Sequence, residues 1–166
     1  MTFPIYAFGY TGRKLDTLVE NVTRADATLL DIRFSPRSRA PVWNRRNLED
    51  AFGERYLWAG DTLGNRLYRT DAIEIVDIER GLELVAGLAA KRPVALMCVC
   101  ASPVGCHRTV ITKVLRERGF VVLDHPPASF GPGEFGAGVP ESNRDTSTVE
   151  RPRSTSELPP RNHRLF

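Results

Sequence analysis

The sequence predicts a single three-layer α/β domain with a mostly parallel sheet of about five strands flanked by helices, followed by a disordered C-terminal tail. Three observations lead to this prediction. Strand-like and helix-like segments alternate over residues 1–125, one continuous apolar segment suits the middle of a parallel sheet, and the composition changes near residue 126. With 166 residues, 42% of them hydrophobic, the chain is long enough for one domain with its own core.

Five short segments rich in apolar residues are predicted to be strands, at residues 3–8, 28–34, 55–59, 93–100 and 120–124. The fourth reads PVALMCVC and is almost continuously apolar. Such a segment is typical of a strand that is buried on both faces. We therefore expect it to lie near the middle of the sheet.

Four helices are predicted between these strands, from apolar residues that recur at helical spacing. The first carries an apolar face that begins at Leu15. The second is capped by Asn44 and ends at Gly53, the third covers residues 78–89, and the fourth runs from Cys106 to Gly119. Because helices join successive strands, the strands are expected to be parallel with helices on both faces.

Residues 126–166 differ from the rest because they hold 7 of the 12 prolines and few apolar residues. Such a segment cannot bury enough apolar surface to offset its chain entropy, so it is predicted to be a mostly disordered tail. No apolar stretch approaches the roughly 20 residues that span a bilayer, and no secretory signal is evident at the N-terminus. The 3 cysteines lie close together and indicate reduced thiols. These features predict a cytoplasmic protein without membrane contact, whose oligomeric state the sequence leaves open.

Arginine outnumbers lysine strongly, since only Lys14, Lys91 and Lys113 are lysines among 23 basic residues. Arginine can bind phosphate with two parallel hydrogen bonds, which lysine cannot do. A bias in genome composition also explains the overall excess, so the positions of the arginines matter more than their number. They concentrate in loops that follow predicted strands.

Three such loops, at residues 9–13, 34–39 and 101–108, are expected to meet at the carboxyl edge of the sheet, where α/β proteins bind ligands. Glycines permit close backbone approach, and arginines bind anions. Phe34 and Trp43 are candidates for stacking on a base. The predicted anion-binding residues are Gly9, Tyr10, Gly12, Arg13, Arg33, Arg37, Arg39, Asn44 and Arg108.

Three residues are candidates for catalysis: Asp31 as an acid or base, and Cys106 with His107 as a thiol and its partner. A cysteine at a helix N-terminus is readily ionised and is a plausible nucleophile. The alternatives are an Asp31–Arg33 ion pair with a structural role and a Cys106 that only caps the helix. A C-x-C pair followed by C-H lacks the usual two-plus-two spacing of zinc ligands, so no metal and no cofactor are predicted.

Several motifs together resemble domain-of-unknown-function family 488, a group of small bacterial and archaeal α/β proteins. They are GYTGR at 9–13, DIRFSPRSR at 31–39, Asn44, the Leu63-Gly64-Asn65 turn and the C-x5-CHR segment at 100–108. The resemblance covers residues 6–125 and implies a compact α/β fold with an arginine-lined pocket. Some members carry labels as nucleic-acid glycosylases or lyases. This chain departs from the family pattern with Asn65 after Gly64 and with a short segment at 61–69.

Three functions remain open at this point. The first is an enzyme, such as a hydrolase or a glycosylase or lyase, that acts on a phosphate-bearing substrate, either a nucleotide or a nucleic acid. The second is a nucleic-acid-binding module without chemistry, whose affinity falls steeply with salt. The third is an enzyme that uses Cys106 in a covalent intermediate. The expected partner is therefore a phosphate-containing small molecule or a nucleic acid.

Overall fold

The computed structural model describes residues 1–127, which contain one five-stranded parallel sheet and four α-helices. The strands are β1 (Ile5–Gly9), β2 (Thr28–Asp31), β3 (Tyr56–Trp58), β4 (Val94–Cys98) and β5 (Val122–Leu123). The helices are α1 (Leu15–Arg24), α2 (Arg45–Phe52), α3 (Ile78–Ala89) and α4 (His107–Glu117), with short 3-10 helices at Pro41–Trp43 and Gly53–Arg55. The predicted α/β class is confirmed.

The strand order is β3-β2-β4-β1-β5, and every neighbouring pair is parallel. β4 lies in the centre, between β1 and β2, and all five of its residues are buried. The prediction that the PVALMCVC segment occupies the middle of the sheet is therefore confirmed.

Helices cover both faces of the sheet because successive strand residues point to opposite sides. Leu30 packs in the cluster that contains α3 and α4 residues, whereas Leu29 packs in the cluster that contains α1 and α2 residues. The two clusters are the two halves of the core, and they confirm the three-layer arrangement. In residues 1–127, no helix has the length and apolar character that a membrane crossing requires.

The element boundaries differ from the predicted ones mainly at strand ends. Residues 28–34 were expected to form one strand, but β2 ends at Asp31, so Arg33 is not a strand residue. The Asp31 side chain accepts a hydrogen bond from the backbone N–H of Arg33 at 3.1 Å, and this local bond competes with the regular ladder. The predicted boundary at residue 125 and the predicted disorder of the tail concern a segment that, apart from Pro126 and Pro127, lies outside the described residues.

Candidate functional site

The three predicted loops follow β1, β2 and β4, which are neighbours in the sheet. A cavity of about 530 Å³ lies at this edge. Its wall combines residues from all three loops with residues from the segment between β3 and α3. Of the predicted site residues, six line this cavity: Tyr10, Arg33, Arg37, Arg39, Cys106 and His107.

The other predicted site residues do not line the cavity. Arg13 turns away from it, since its Nε donates to the Gly9 carbonyl at 2.8 Å and its guanidinium lies over the Phe8 ring. Gly12 has a positive φ of 81° and serves the turn after β1. The cavity wall contains neither the predicted acid or base, Asp31, nor five of the predicted anion-binding residues: Gly9, Gly12, Arg13, Asn44 and Arg108.

Asp31 and Arg33 form a buried ion pair behind the cavity wall. The Arg33 Nε donates to Asp31 Oδ1 at 2.8 Å, and its Nη2 donates to Oδ2. The Tyr56 hydroxyl donates to the same Oδ2 at 2.9 Å, and Asp31 is 0% exposed. Burial and the Asp31 charge raise the pKa of Tyr56, so this tyrosine remains a donor. With both oxygens bonded and no access to the cavity, Asp31 does not suit the predicted role of acid or base; it positions Arg33.

Tyr10 supports Arg33 from the other side. The Arg33 guanidinium lies 5.1 Å from the centroid of the Tyr10 ring, a cation–π arrangement. Tyr10 in turn stacks on Trp43, with centroids 4.5 Å apart and planes at 14°. Trp43 is therefore a buried core residue and not the base-stacking residue that the sequence suggested. Arg33 is held by a carboxylate and a phenol ring, so its guanidinium has a defined position in the cavity wall.

Arg37, Arg39 and Arg69 complete the basic lining, and all three are exposed. None has a carboxylate within ion-pair distance among the residues 1–127. Arg69 was not predicted from the sequence. It lies in the segment between β3 and α3, which gave no periodic signal, and the neighbouring Leu63-Gly64-Asn65 turn was the one available indication.

Asn65 fixes the segment that carries Arg69. Its Oδ1 accepts hydrogen bonds from the backbone N–H groups of Leu67 and Glu74, at 3.1 and 2.8 Å, and its Nδ2 donates to the Ala72 carbonyl at 3.0 Å. Such side-chain bonds to the backbone replace regular structure in a tight loop. The asparagine at the position where the family pattern has a second glycine therefore shapes this side of the cavity.

Asn44 lies at the N-cap of α2, as predicted, but its side chain does not cap the helix. Instead, Asn44 Oδ1 accepts the backbone N–H of Ser38 at 2.6 Å and so holds the loop that carries Arg37 and Arg39. Asn44 lines a second, more open groove of about 800 Å³ that shares Phe34 and Arg37 with the first cavity. The role of Asn44 at the cavity is thus to position the loop.

Three thiols converge at the floor of the cavity and are called here the cysteine cluster: Cys98, Cys100 and Cys106. Their Sγ atoms all lie within 4.8 Å of one another, and the Cys98 and Cys106 Sγ atoms are 3.4 Å apart. Cys98 is the last residue of β4 and Cys106 is the N-cap residue of α4. Cys106 and Cys100 line the cavity, whereas Cys98 lies behind them.

The cluster favours a thiolate at Cys106. A hydrogen bond from the Cys98 thiol is the largest influence, and together with contacts to His107 and the Arg108 backbone N–H it lowers the pKa of Cys106 to about 3, against the opposing effect of burial. Hydrogen bonds with Cys100 and Cys106, together with burial, raise the pKa of Cys98. Cys98 is therefore the protonated donor and Cys106 the ionised acceptor.

His107 and Arg108 both contact the cluster. Burial lowers the pKa of His107, but hydrogen bonds to Cys106 and to the Ile32 carbonyl raise it more, so the net shift is upward. Its Nε2 lies 3.0 Å from the Ile32 oxygen. The Arg108 Nη1 donates to Cys98 Sγ at 3.3 Å and to the Cys100 carbonyl at 3.4 Å. Arg108 is thus a partner of the Cys98 thiol and does not line the cavity, so its role as an anion ligand stays a prediction.

The cysteine cluster is also the group of side chains in residues 1–127 that is close enough to hold a metal ion. Three thiolates suit a soft or borderline metal such as zinc. The Arg108 guanidinium occupies one side of the cluster, however, and its charge opposes a bound cation. The three sulfurs converge because β4 and α4 meet at this edge. The spacing of the cysteines along the chain does not show this convergence.

No family model matches the sequence, and no characterised protein matches it. Among solved structures, the chain is similar to the crystal structure of a conserved hypothetical protein from Aeropyrum pernix K1, with 21% sequence identity and a TM-score of 0.47. The match covers 78% of this chain and 40% of that protein, so the chain spans less than half of its length. The resemblance to family 488 therefore stays a prediction.

Gly9 is required where β1 meets the loop after β4. A Cβ atom at this position would lie 1.7 Å from the Cys100 carbonyl oxygen. The neighbouring atoms belong to the backbone of Cys100 and Ala101, which cannot move aside as a flexible side chain can. We expect Gly9→Ala to lower the free energy of unfolding by about 1–3 kcal/mol and to displace the Cys100 loop. Urea unfolding measures the first effect, and the alkylation rate of Cys100 measures the second.

Gly87→Ala is the matched control for this substitution. Gly87 lies in α3, and a Cβ atom there meets nothing within 4 Å. Because alanine is the better helix former, this variant should be as stable as the parent or up to about 1 kcal/mol more stable. Equal stability of the two variants would contradict the close approach at Gly9.

Proposed function

We propose that this chain is an enzyme that binds a phosphate-bearing substrate, a nucleotide or a nucleic acid, in the arginine-lined cavity. The observation that carries the proposal is the convergence of Arg33, Arg37, Arg39 and Arg69 on one cavity of about 530 Å³. This volume is within the range of cavities that bind small molecules. We also propose that the chain belongs to family 488, because it carries the GYTGR, DIRFSPRSR and C-x5-CHR motifs.

The charges of these arginines favour an anionic ligand. Arg37, Arg39 and Arg69 have no carboxylate partner among residues 1–127, and Arg33, 4% exposed, adds a fourth guanidinium whose charge Asp31 balances. Like charges around one cavity repel each other until an anion enters. Guanidinium groups match the oxygens of a phosphate group in both geometry and charge. The cavity is therefore better suited to phosphate than to a neutral ligand.

Aromatic side chains at the cavity favour a nucleotide over a simple phosphate ester. Phe34 and Tyr68 are 39% and 46% exposed, and their ring centroids are 5.7 Å apart. Exposed rings beside bound phosphate can stack on a base. Both residues also line the second groove, which carries Arg45 and Arg46. A continuous strand could therefore cross from one groove to the other, which supports a nucleic acid as substrate.

The position of Cys106 favours chemistry over simple binding. Its thiol lines the same cavity, and its lowered pKa makes it a thiolate. An enzyme that uses Cys106 as a covalent nucleophile is accordingly the second candidate, and it is compatible with the first. A glycosylase or a lyase, the activities named for some members of family 488, uses a nucleophile or a base beside its bound substrate, and so does a hydrolase. Asp31 cannot supply it because it has no access to the cavity.

The proposal predicts that binding depends on phosphate and on the loop arginines. A nucleoside monophosphate should bind more tightly than its nucleoside, because each charge-assisted hydrogen bond contributes about 1.5–3 kcal/mol. Arg37→Ala and Arg39→Ala should each weaken that binding by about 10-fold to 100-fold. Isothermal titration calorimetry at two salt concentrations gives the affinities and their salt dependence.

Arg80→Ala is the control for these variants. Arg80 is an exposed arginine of α3 that lines neither groove, so its removal changes the net charge by the same amount without touching the site. Its affinity for the monophosphate should stay within about twofold of the parent. Equal binding of nucleoside and monophosphate, or equal losses in all three variants, would contradict a phosphate site.

A further inference from the structure

The cysteine cluster has a geometry that anion binding does not require. The Cys98 and Cys106 sulfurs are 3.4 Å apart, whereas a disulfide bond is about 2.05 Å long, so the two atoms need to approach by about 1.4 Å. They come from different elements, β4 and α4, and the loop at 99–105 connects them. This loop is largely exposed, and it can adjust when the two sulfurs move together.

The surroundings of the pair favour a negative charge on sulfur. Arg108 is 6% exposed, and it has no carboxylate partner among residues 1–127. A buried guanidinium stays protonated and favours a nearby anion; its Nη1 lies 3.3 Å from Cys98 Sγ, and Cys106 Sγ lies 3.4 Å from that sulfur. Cys106 is the best-placed thiolate, since it lies at the N-terminus of α4 and beside His107.

Access and protection differ between the two sulfurs. Cys106 lines the cavity although only 2% of its surface is exposed, whereas Cys98 is 0% exposed and does not line it. In such a pair of thiols, the thiolate is oxidised first. The protonated thiol in contact with it then completes the disulfide. The half-buried Cys100 lies within the same 4.8 Å group, and the hydrogen bond from Cys98 lowers its pKa as well, so the experiment must separate it from Cys106.

From this arrangement we propose that the chain reduces hydroperoxides, with Cys106 as the attacking thiolate and Cys98 as the resolving thiol. Cys106 attacks one oxygen of the peroxide; the S–O bond forms and the O–O bond breaks. The departing alkoxide takes a proton from water and leaves as an alcohol, or as water when the substrate is hydrogen peroxide. Cys106 is then a sulfenic acid, oxidised by two electrons.

In the second step the Cys98 sulfur attacks the Cys106 sulfur. The S–S bond forms, the S–O bond breaks, and the hydroxide leaves with the Cys98 proton as water. A dithiol reductant returns the disulfide to two thiols by exchange and is itself oxidised. Because Cys106 also lines the anion cavity, its oxidation removes the thiolate from that site. The activity is independent of phosphate binding, so either proposal can fail without the other.

The first experiment treats the reduced, chelator-washed full chain with one equivalent of hydrogen peroxide. The number of free thiols should fall from three to one, and the intact mass should fall by two hydrogen atoms. Peptide mapping should find a disulfide between Cys98 and Cys106, with Cys100 still free for alkylation. A chain that keeps all its thiols, or a disulfide that includes Cys100, would overturn the proposal.

Two variants then assign the roles. In Cys98→Ser the reaction should stop at the sulfenic acid, which dimedone traps on Cys106. In Cys100→Ser the Cys98–Cys106 disulfide should still form, because Cys100 is not part of it. A sulfenic acid that also persists in Cys100→Ser would refute the assignment of Cys98. If the untreated chain resists peroxide until a chelator removes stoichiometric zinc, the cluster is a metal site and the proposal is wrong. If a variant fails to fold, the peptide mapping of the wild-type chain still tests whether Cys98 and Cys106 form the disulfide.

Discussion

Asp31→Asn is expected to lower the free energy of unfolding by about 3–5 kcal/mol, the range found when one partner of a buried ion pair is removed. The asparagine has nearly the same shape, but it leaves the Arg33 charge buried without compensation. The substitution also replaces or reorients Asp31 Oδ2, which accepts hydrogen bonds from both Arg33 and Tyr56. Urea unfolding followed by circular dichroism measures the change.

Asp26→Asn is the control, since it removes an aspartate that is also paired with an arginine. Asp26 forms an ion pair with Arg55, but its side chain is 64% exposed. Exposed pairs contribute about 0–1 kcal/mol, and asparagine tolerates the positive φ of 49° at this position. Similar losses in the two variants would show that Asp31 is not the buried anchor of Arg33.

The Asp31–Arg33 ion pair also fixes part of the cavity wall. Arg33 has a defined position because Asp31 and Tyr10 hold it, while Arg37 and Arg39 depend on the loop that Asn44 fastens. In the proposed function, this rigid guanidinium beside two adjustable ones holds a phosphate group in one orientation. Positioning of this kind is a large part of what arginine-lined sites contribute to catalysis in general.

The fold was predictable because hydrophobic periodicity reports burial directly. The PVALMCVC segment is apolar throughout since β4 has neighbours on both edges and helices on both faces. Strand ends were less predictable. β2 ends at Asp31, whose side chain bonds to the backbone N–H of Arg33, and the apolar pattern of the sequence does not show this bond.

The site was predictable only in part, for a related reason. Tyr10, Arg33, Arg37, Arg39, Cys106 and His107 were found because their loops follow adjacent strands. Arg69 was missed since it reaches the cavity through an irregular segment that Asn65 shapes. The convergence of three thiols was also missed because spacing along the chain does not show where β4 and the N-terminus of α4 meet.

The alkylation rate of Cys106 is expected to change little between pH 5 and pH 8. Its pKa is lowered to about 3, chiefly by the hydrogen bond from Cys98, so the thiolate fraction is nearly complete over this range and is lost only as the pH falls toward 3. An ordinary thiol with a pKa of about 8.5 gains roughly 1,000-fold in thiolate over the same interval. Iodoacetamide labelling followed by peptide mass spectrometry gives the rate at each pH, with glutathione as the reference thiol.

The shape of this pH profile is more informative than the absolute rate, because a thiolate of low pKa is also a weaker nucleophile. Cys98→Ala removes the principal hydrogen-bond donor to Cys106, so the rise in reactivity should move to higher pH. The N-terminus of α4 and the neighbouring His107 remain in that variant, so its reactivity should still rise at a lower pH than that of glutathione. A parent profile that rises about tenfold per pH unit, as glutathione does, would mean that Cys106 is a neutral thiol and that neither covalent catalysis nor peroxide reduction begins at this atom.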